Sequence, residues 1–344
     1  MKENQLQVLS VVQKKGQVSR LEIAEQISSQ QSPATLKRIL LNLQEEGWIF
    51  SDGKGKSTIY LPSAKLKLIF PIKLDSYFSK EQDDRKIKER FDFELFNKLN
   101  STEIFSTDEQ TYLDNLHLTF LSRIKDLSPA EYQKEMERLA IDLSWKSSQI
   151  EGNTYSLLET EILLKEKKTA SGKTKEEATM LLNHKEAIDF LVENEDYVAD
   201  LTIKTIEELH SLLTKELGID RNIRNRRVGI TGTNYQPLDN QFEIREALEK
   251  SCELVNSKQN PYEKAFLTLV LISYIQPFGD GNKRTARILS NGILLSSGYC
   301  PLSYRSVDPL DYKKAMLIFY EQNNLSHMKA IFIEQFEFAV KTYF

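Results

Sequence analysis

Tyr274-Ile275-Gln276-Pro277-Phe278-Gly279-Asp280-Gly281-Asn282-Lys283-Arg284-Thr285-Ala286-Arg287 is the stretch whose reading decides the fold. An apolar run from Ala265 to Ile275 feeds a loop that contains two glycines and a carboxylate, and a helix opens at about Asn282. Gly279 and Gly281 let the backbone approach a ligand closely, Asn282 suits an N-cap, and the first free N–H groups of the helix point into the loop. Arg284 and Arg287, three residues apart, share one face and can fork onto phosphate oxygens. Asp280 stands where a divalent cation could be held between them. A glycine pair alone would read as an ordinary helix start with solvated arginines. Carboxylate, cap and paired arginines together read as a phosphate site.

The run resembles the signature of the Fic family, His-Pro-Phe-x-Asp/Glu-Gly-Asn-Gly/Lys-Arg-x-x-Arg, and every position from Pro277 to Arg287 fits. The first does not, because this chain has Gln276 where the family has histidine. In the family that histidine is the base that activates a target-protein hydroxyl for attack on the α-phosphate of ATP. The resemblance therefore implies ATP and Mg²⁺ as ligands, with Phe278, Gly279, Gly281, Asn282, Lys283, Arg284 and Arg287 around the nucleotide and Asp280 on the metal. A positioned base contributes roughly a hundred- to ten-thousand-fold in rate, and a neutral amide cannot accept a proton near neutral pH. Transfer of AMP should be weak or lost while nucleotide binding survives. The alternative is an active nucleotidyl- or phosphoryl-transfer enzyme in which Gln276 orients the nucleophile without deprotonating it, as glutamine does in small GTPases.

The chain has 344 residues, enough for two or three full cores, and its 40% hydrophobic and 28% charged content is that of an ordinary soluble protein. The apolar run into the loop is interrupted by Thr268 and Ser273 and is too short to span a bilayer. The polar start, Met1-Lys2-Glu3-Asn4-Gln5, lacks the apolar segment of a leader, and Cys252 and Cys300 have neither metal-ligand nor disulfide spacing. A cytoplasmic location is the expectation. Residues 1–62 hold eight Lys/Arg against six Asp/Glu, so the net charge of −4 conceals a positive N-terminal balance.

That N-terminal segment reads as three helices and two strands. Ser19 caps the second helix; Ser32 with Pro33 opens the third, which runs through Leu36, Ile39, Leu40 and Leu43 to Gly47. Trp48-Ile49-Phe50, a turn at Ser51-Asp52-Gly53-Lys54-Gly55, and Ser57-Thr58-Ile59-Tyr60 make a hairpin. The order resembles a winged helix-turn-helix domain over residues 1–63. If it binds DNA, Thr35, Lys37 and Arg38 face the major groove and Lys54 and Lys56 on the wing meet phosphate. A homodimer would double the modest positive charge; a winged helix used for protein contacts is the other reading.

Residues 64–90 form a connector, and the charged stretch from Ser79 reads as helix. From there residues 91–344 carry the Fic resemblance, which implies an all-helical domain with a small β-hairpin flap. A helix over about 131–152 ends in Ser147-Ser148-Gln149-Ile150-Glu151-Gly152. As plain chemistry, Gly152 ends a helix and Glu151 is solvated. The stretch also matches the family's inhibitory motif, Ser/Thr-x-x-x-Glu-Gly/Asn, through Ser147, Glu151 and Gly152, and the resemblance implies that Glu151 pairs with Arg287 and crowds the γ-phosphate. Val228-Gly229-Ile230-Thr231-Gly232 resembles the flap, an edge to which a target protein adds as a strand. Tyr312 falls where the family places a contact to the nucleotide base. His210, a lone histidine beside Leu209 and Leu212, is given no catalytic part. The third function class is a DNA-binding regulator that senses nucleotide without turnover.

Overall fold

Ser19 and Ser32 each turn a hydroxyl onto the backbone N–H three residues on, that of Glu22 and of Thr35, and Pro33 fills the first helical position. A computed structural model describes residues 1–27 and 31–344, and the side chain of Lys56 also lies outside the described residues. It places α1 (Glu3–Lys15), β1 (Val18–Ser19), α2 (Arg20–Gln26) and α3 (Pro33–Glu45) ahead of β2 (Ile49–Asp52) and β3 (Ile59–Pro62). The three strands form one antiparallel sheet in the order β1-β3-β2, with Phe50 opposite Leu61 and Ser19 opposite Ile59. Val8, Leu9, Val12, Ile23, Leu36, Leu40 and Leu43 close on each other beneath it. This is the winged-helix arrangement.

The helix α4 (Ala64–Ile69) belongs to two cores at once. Leu66 and the following Phe70 enter the N-terminal one, while Leu68 and Ile69 enter the larger one behind it. After α5 (Leu74–Phe78) the chain departs from the helix that its charged composition suggests: a 3-10 turn covers Gln82–Asp84, and α6 (Glu94–Asn100) begins only after an extended strap. The cause is tertiary, because the charges of the strap bond across the molecule. Arg85 forks onto the carboxylate of Glu321 at 3.0 and 2.9 Å, with side chains 7% and 0% exposed, and Tyr77 donates to the same carboxylate at 2.6 Å.

The larger part comprises α7 (Thr107–Lys125), α8 (Pro129–Ile150), α9 (Leu157–Glu166), α10 (Lys175–Glu193), α11 (Ile203–Leu213), α12 (Gln241–Ser257), α13 (Pro261–Ile275), α14 (Asn282–Ser296), α15 (Pro309–Gln322) and α16 (Ser326–Tyr343). Every residue of α13 from Ala265 to Ile275 is buried, as befits a helix that is apolar on all sides, and α12, α14 and α15 surround it. Gly292 lets α14 approach its neighbours: a Cβ there would lie 2.4 Å from Val198 and 3.1 Å from Leu191. The described residues are about 65% helical with one small sheet among them, so the mainly-α class holds.

The flap differs in detail from a hairpin. Residues 228–230 have no regular secondary structure and a turn follows at Thr231–Gly232, and among the described residues no strand pairs with them. The strap holds this segment instead. Arg85 Nη2 donates to the Gly232 carbonyl at 2.5 Å, Asn234 bonds Gln82 and Asp83, and Arg90 and Gln236 form an isolated parallel bridge.

Removing one member of a buried ion pair leaves a charge without compensation, whereas replacing both with apolar groups of similar volume can be neutral. Arg85→Ala should therefore cost about 3–5 kcal/mol in urea unfolding, and Arg85→Met with Glu321→Met should recover most of that loss. A small, equal effect in both proteins would show that the pair does not hold the strap.

Candidate anion-binding site

The loop between α13 and α14 is shaped from inside. α13 ends at Gln276, which adopts a left-handed backbone, and the next helix is capped by Gly281 at φ +80°. The N-cap is thus Gly281 rather than Asn282. The Asn282 side chain turns back into the loop, accepting from Phe278 N–H at 2.8 Å and donating to the Phe278 carbonyl at 2.9 Å. Gly281 is needed for two reasons: its positive φ, and a Cβ that would meet Thr214 at 3.2 Å and His210 at 3.4 Å. The amide of Gln276 is also engaged. Its Nε2 donates to the Ser273 carbonyl at 2.6 Å and its Oε1 accepts from Asn282 at 3.1 Å.

His210 and Arg224, to which the sequence reading assigned no role, prove to be the outer supports of this loop. His210 on α11 stacks flat on Phe278 with ring centroids 3.6 Å apart, and its Nε2 lies 3.0 Å from the Asp280 carbonyl. A carbonyl only accepts, so Nε2 carries the proton. Burial pulls the imidazole pKa down to about 4, and His210 is neutral at physiological pH. Arg224 donates to the carbonyls of Gln276 at 2.6 Å and Arg226 at 2.7 Å, while its backbone N–H bonds Pro277 at 2.9 Å. A histidine among leucines and one arginine in a basic run give no local sign of either contact.

The two arginines of α14 are both buried but differently compensated. Arg287 Nε donates to Ser147 Oγ at 2.8 Å, and its Nη2 reaches the Ser147 carbonyl and Glu151 Oε1, each at 2.9 Å. Lys283 closes on the other oxygen of Glu151 at 2.6 Å. Burial alone would raise the Glu151 pKa, but the charges of Arg287 and Lys283 and their hydrogen bonds outweigh it and hold the carboxyl at about 2. Arg284 has only Asp280 at 3.4 Å, and its Nε and Nη1 have no partner among the described residues. His184 on α10 lies fully buried nearby. Burial, then the positive fields of Arg287 and Arg284, keep it neutral.

A cavity of about 490 Å³ lies against this loop, lined by Gln276, Gly279 to Lys283, Ile150, Glu151, residues 228–231, Phe78 and one face of α15; Arg284, Arg287 and His184 are buried and are not part of its lining. Phe278 is not part of the lining, since its ring is buried against His210. Tyr312 lines the cavity but is wholly buried, with the Arg287 guanidinium 5.2 Å above its ring. Asp280 has a side chain 69% exposed, and among the described residues no group of three or more His, Cys, Asp or Glu could hold a metal. One open carboxylate suits Mg²⁺, which binds through one or two carboxylates and the phosphates of a substrate rather than in a protein cage. Gly152 ends α8 at φ +101° beside Glu151. On the winged helix, Lys37, Arg38 and Lys54 are exposed and Thr35 is half-buried, its hydroxyl 2.9 Å from Ser32; the Lys56 side chain lies outside the described residues. Among the described residues no helix is long and apolar enough to cross a membrane.

Known proteins with similar sequences and folds bear on this geometry. The Fic/DOC family profile matches residues 200–294 and the penicillinase repressor profile matches residues 2–86. The protein adenylyltransferase Fic of Nematostella vectensis is 31% identical over 176 residues, covering 49% of this chain and 40% of that protein. Its counterpart in Aedes aegypti is 29% identical over 198 residues, covering 53% and 37%. The chain thus spans about two fifths of the length of these relatives. In fold it resembles Fic-1 (residues 134–508) from C. elegans, with a TM-score of 0.58 at 20% identity over 69% of this chain and 72% of that one. A Fic domain containing signaling protein from Bacteroides thetaiotaomicron gives 0.56 at 19% identity over 67% and 96%.

The Glu151 cluster makes stability depend on pH in a defined direction. A carboxyl held at about 2 against an ordinary 4.5 contributes its full stabilisation above pH 4.5 and loses it as pH falls toward 2. The stability gap between the natural protein and Glu151→Gln should narrow by on the order of 3 kcal/mol from pH 6 to pH 2. A gap that stays constant over that range would remove Glu151 as the titrating group.

Proposed function

Because the chain carries a Fic/DOC domain related to those of protein adenylyltransferases, behind a winged-helix segment, we propose that it binds ATP and transfers AMP weakly or not at all. The observation that carries this reading is the contrast between the start of the loop and the helix it opens. Arg284 keeps buried N–H groups without a protein partner, whereas the Gln276 amide has both ends engaged. Phosphate would satisfy the first; the second offers no base.

In this reading residues 1–63 bind DNA, 64–90 connect, and 91–344 hold the nucleotide. Gly279, Gly281, Asn282, Lys283, Arg284 and Arg287 surround the phosphates, and Asp280 holds Mg²⁺ that arrives with them. When bound, Mg²⁺ neutralises phosphate charge and aligns the oxygens. Glu151 occupies Arg287 and Lys283 and so competes with the terminal phosphate, with Ser147 and Gly152 fixing its place at the end of α8. Residues 228–231 line the cavity without a strand paired to them among the described residues, and a target protein can add there. Tyr312 acts by supporting Arg287.

Label transfer from α-labelled ATP to the protein itself and to a lysate tests this directly. Glu151→Gly alone should give little label, and Glu151→Gly with Gln276→His should give at least about a hundredfold more. Strong label with Gln276 in place would instead support the enzyme reading in which the amide positions the nucleophile.

DNA recognition has its own signature. Arg38→Ala should relax sequence preference at one position by about 1–3 kcal/mol, while Lys54→Ala should weaken all sequences alike and reduce the salt slope by about one. Binding that ignores both substitutions would assign the winged helix to protein contacts.

A further inference from the structure

Phe78, the last residue of α5, stands where the strap begins and lines the cavity although it lies far outside the 200–294 segment that the Fic/DOC profile matches. Its ring is half-buried and packs against two side chains of the same region. The Arg85 guanidinium stands 5.4 Å from the ring centroid and Tyr77 packs edge-on at 5.2 Å. Arg85 is itself fixed by the fork onto Glu321 and by the Gly232 carbonyl. A buried ion pair, a tyrosine hydroxyl and the flap turn thus converge on one aromatic ring.

The cavity wall is chemically divided. The loop from Gly279 to Lys283 presents glycines, an amide and charges, while Phe78 joins Ile230, Leu317, Met316 and Ile150 as apolar lining, with Lys313 and Lys314 on the α15 face. Gly232 packs against Leu317, its Cβ position lying 3.5 Å from that side chain, so flap turn and α15 meet where Arg85 joins the strap to both.

We propose that Phe78 is a ligand-contacting residue that takes the apolar part of a nucleotide whose phosphates occupy the loop, with Arg85 and Glu321 as its positioning residues. This rests on the ATP reading above. It makes the strap a wall of the site, so occupancy is felt by the segment that runs back through α4 into the winged-helix core.

The test compares two probes, ATP and inorganic tripolyphosphate, bound to the full-length protein and to Phe78→Ala by calorimetry, with unfolding temperatures measured alongside. ATP affinity should fall about tenfold in the variant, the scale of losing one aromatic contact to a base, while tripolyphosphate affinity should hold within about twofold. Should Phe78→Ala fail to fold, Phe78→Leu carries the same comparison with a loss of about threefold. Unchanged ATP affinity overturns the proposal and leaves the ATP reading standing. Parallel loss of both probes also overturns it, making Phe78 a structural support. A parent protein that binds neither probe overturns the ATP reading and this proposal with it.

Discussion

Two guanidinium groups buried at the head of α14 impose the constraint on which the site depends. A buried charge is tolerated only with partners that restore what water supplied. Arg287 obtains them from the end of α8, where Ser147 offers a hydroxyl and a carbonyl and Glu151 a carboxylate. Lys283 draws on the same carboxylate from one turn earlier on α14. Thus α8 and α14, far apart in sequence, are pinned by one ionic cluster. Arg284 receives no equivalent support among the described residues, and both arginines lie buried outside the lining of the cavity.

The loop that presents these charges is rigid because it is held from both sides. Asn282 clamps it from within, and His210 with Arg224 clamp it from without. His210 suits this position because burial keeps it neutral, so it adds no charge beside Arg284. The strap repeats the pattern at larger scale, with Arg85 and Glu321 joining the connector, the flap turn and α15 in a single buried network. The strap in this way connects the cavity wall, through α4, with the winged-helix core.

Much of the fold was legible in the sequence because local chemistry dictated it. Ser19, Ser32 with Pro33, Ser106 and Asp308 announce helix starts through their own side chains. The unbroken apolar character of α13 announces burial on every side. Glu151 and Arg287 were linked only through resemblance to a family, and the structure brings them to 2.9 Å. The strap was misread as helix because charged residues are good helix formers when nothing else claims them. Arg85 and Lys88 were claimed by α15, through Glu321 and Asn323.

By itself the sequence determined the winged-helix order and the buried helix leading into a glycine loop, with Gln276 where the Fic signature it resembles has histidine. All are consequences of residues close together along the chain. Only the tertiary structure decided that Gln276 has both ends of its amide engaged, that Lys283 shares Glu151, that His210 and Arg224 brace the loop, and that Phe78 reaches the cavity. Each of those depends on which distant side chain arrives within about 3–5 Å in space, and hydrogen bonding, burial and charge compensation act at that range whatever the separation in sequence.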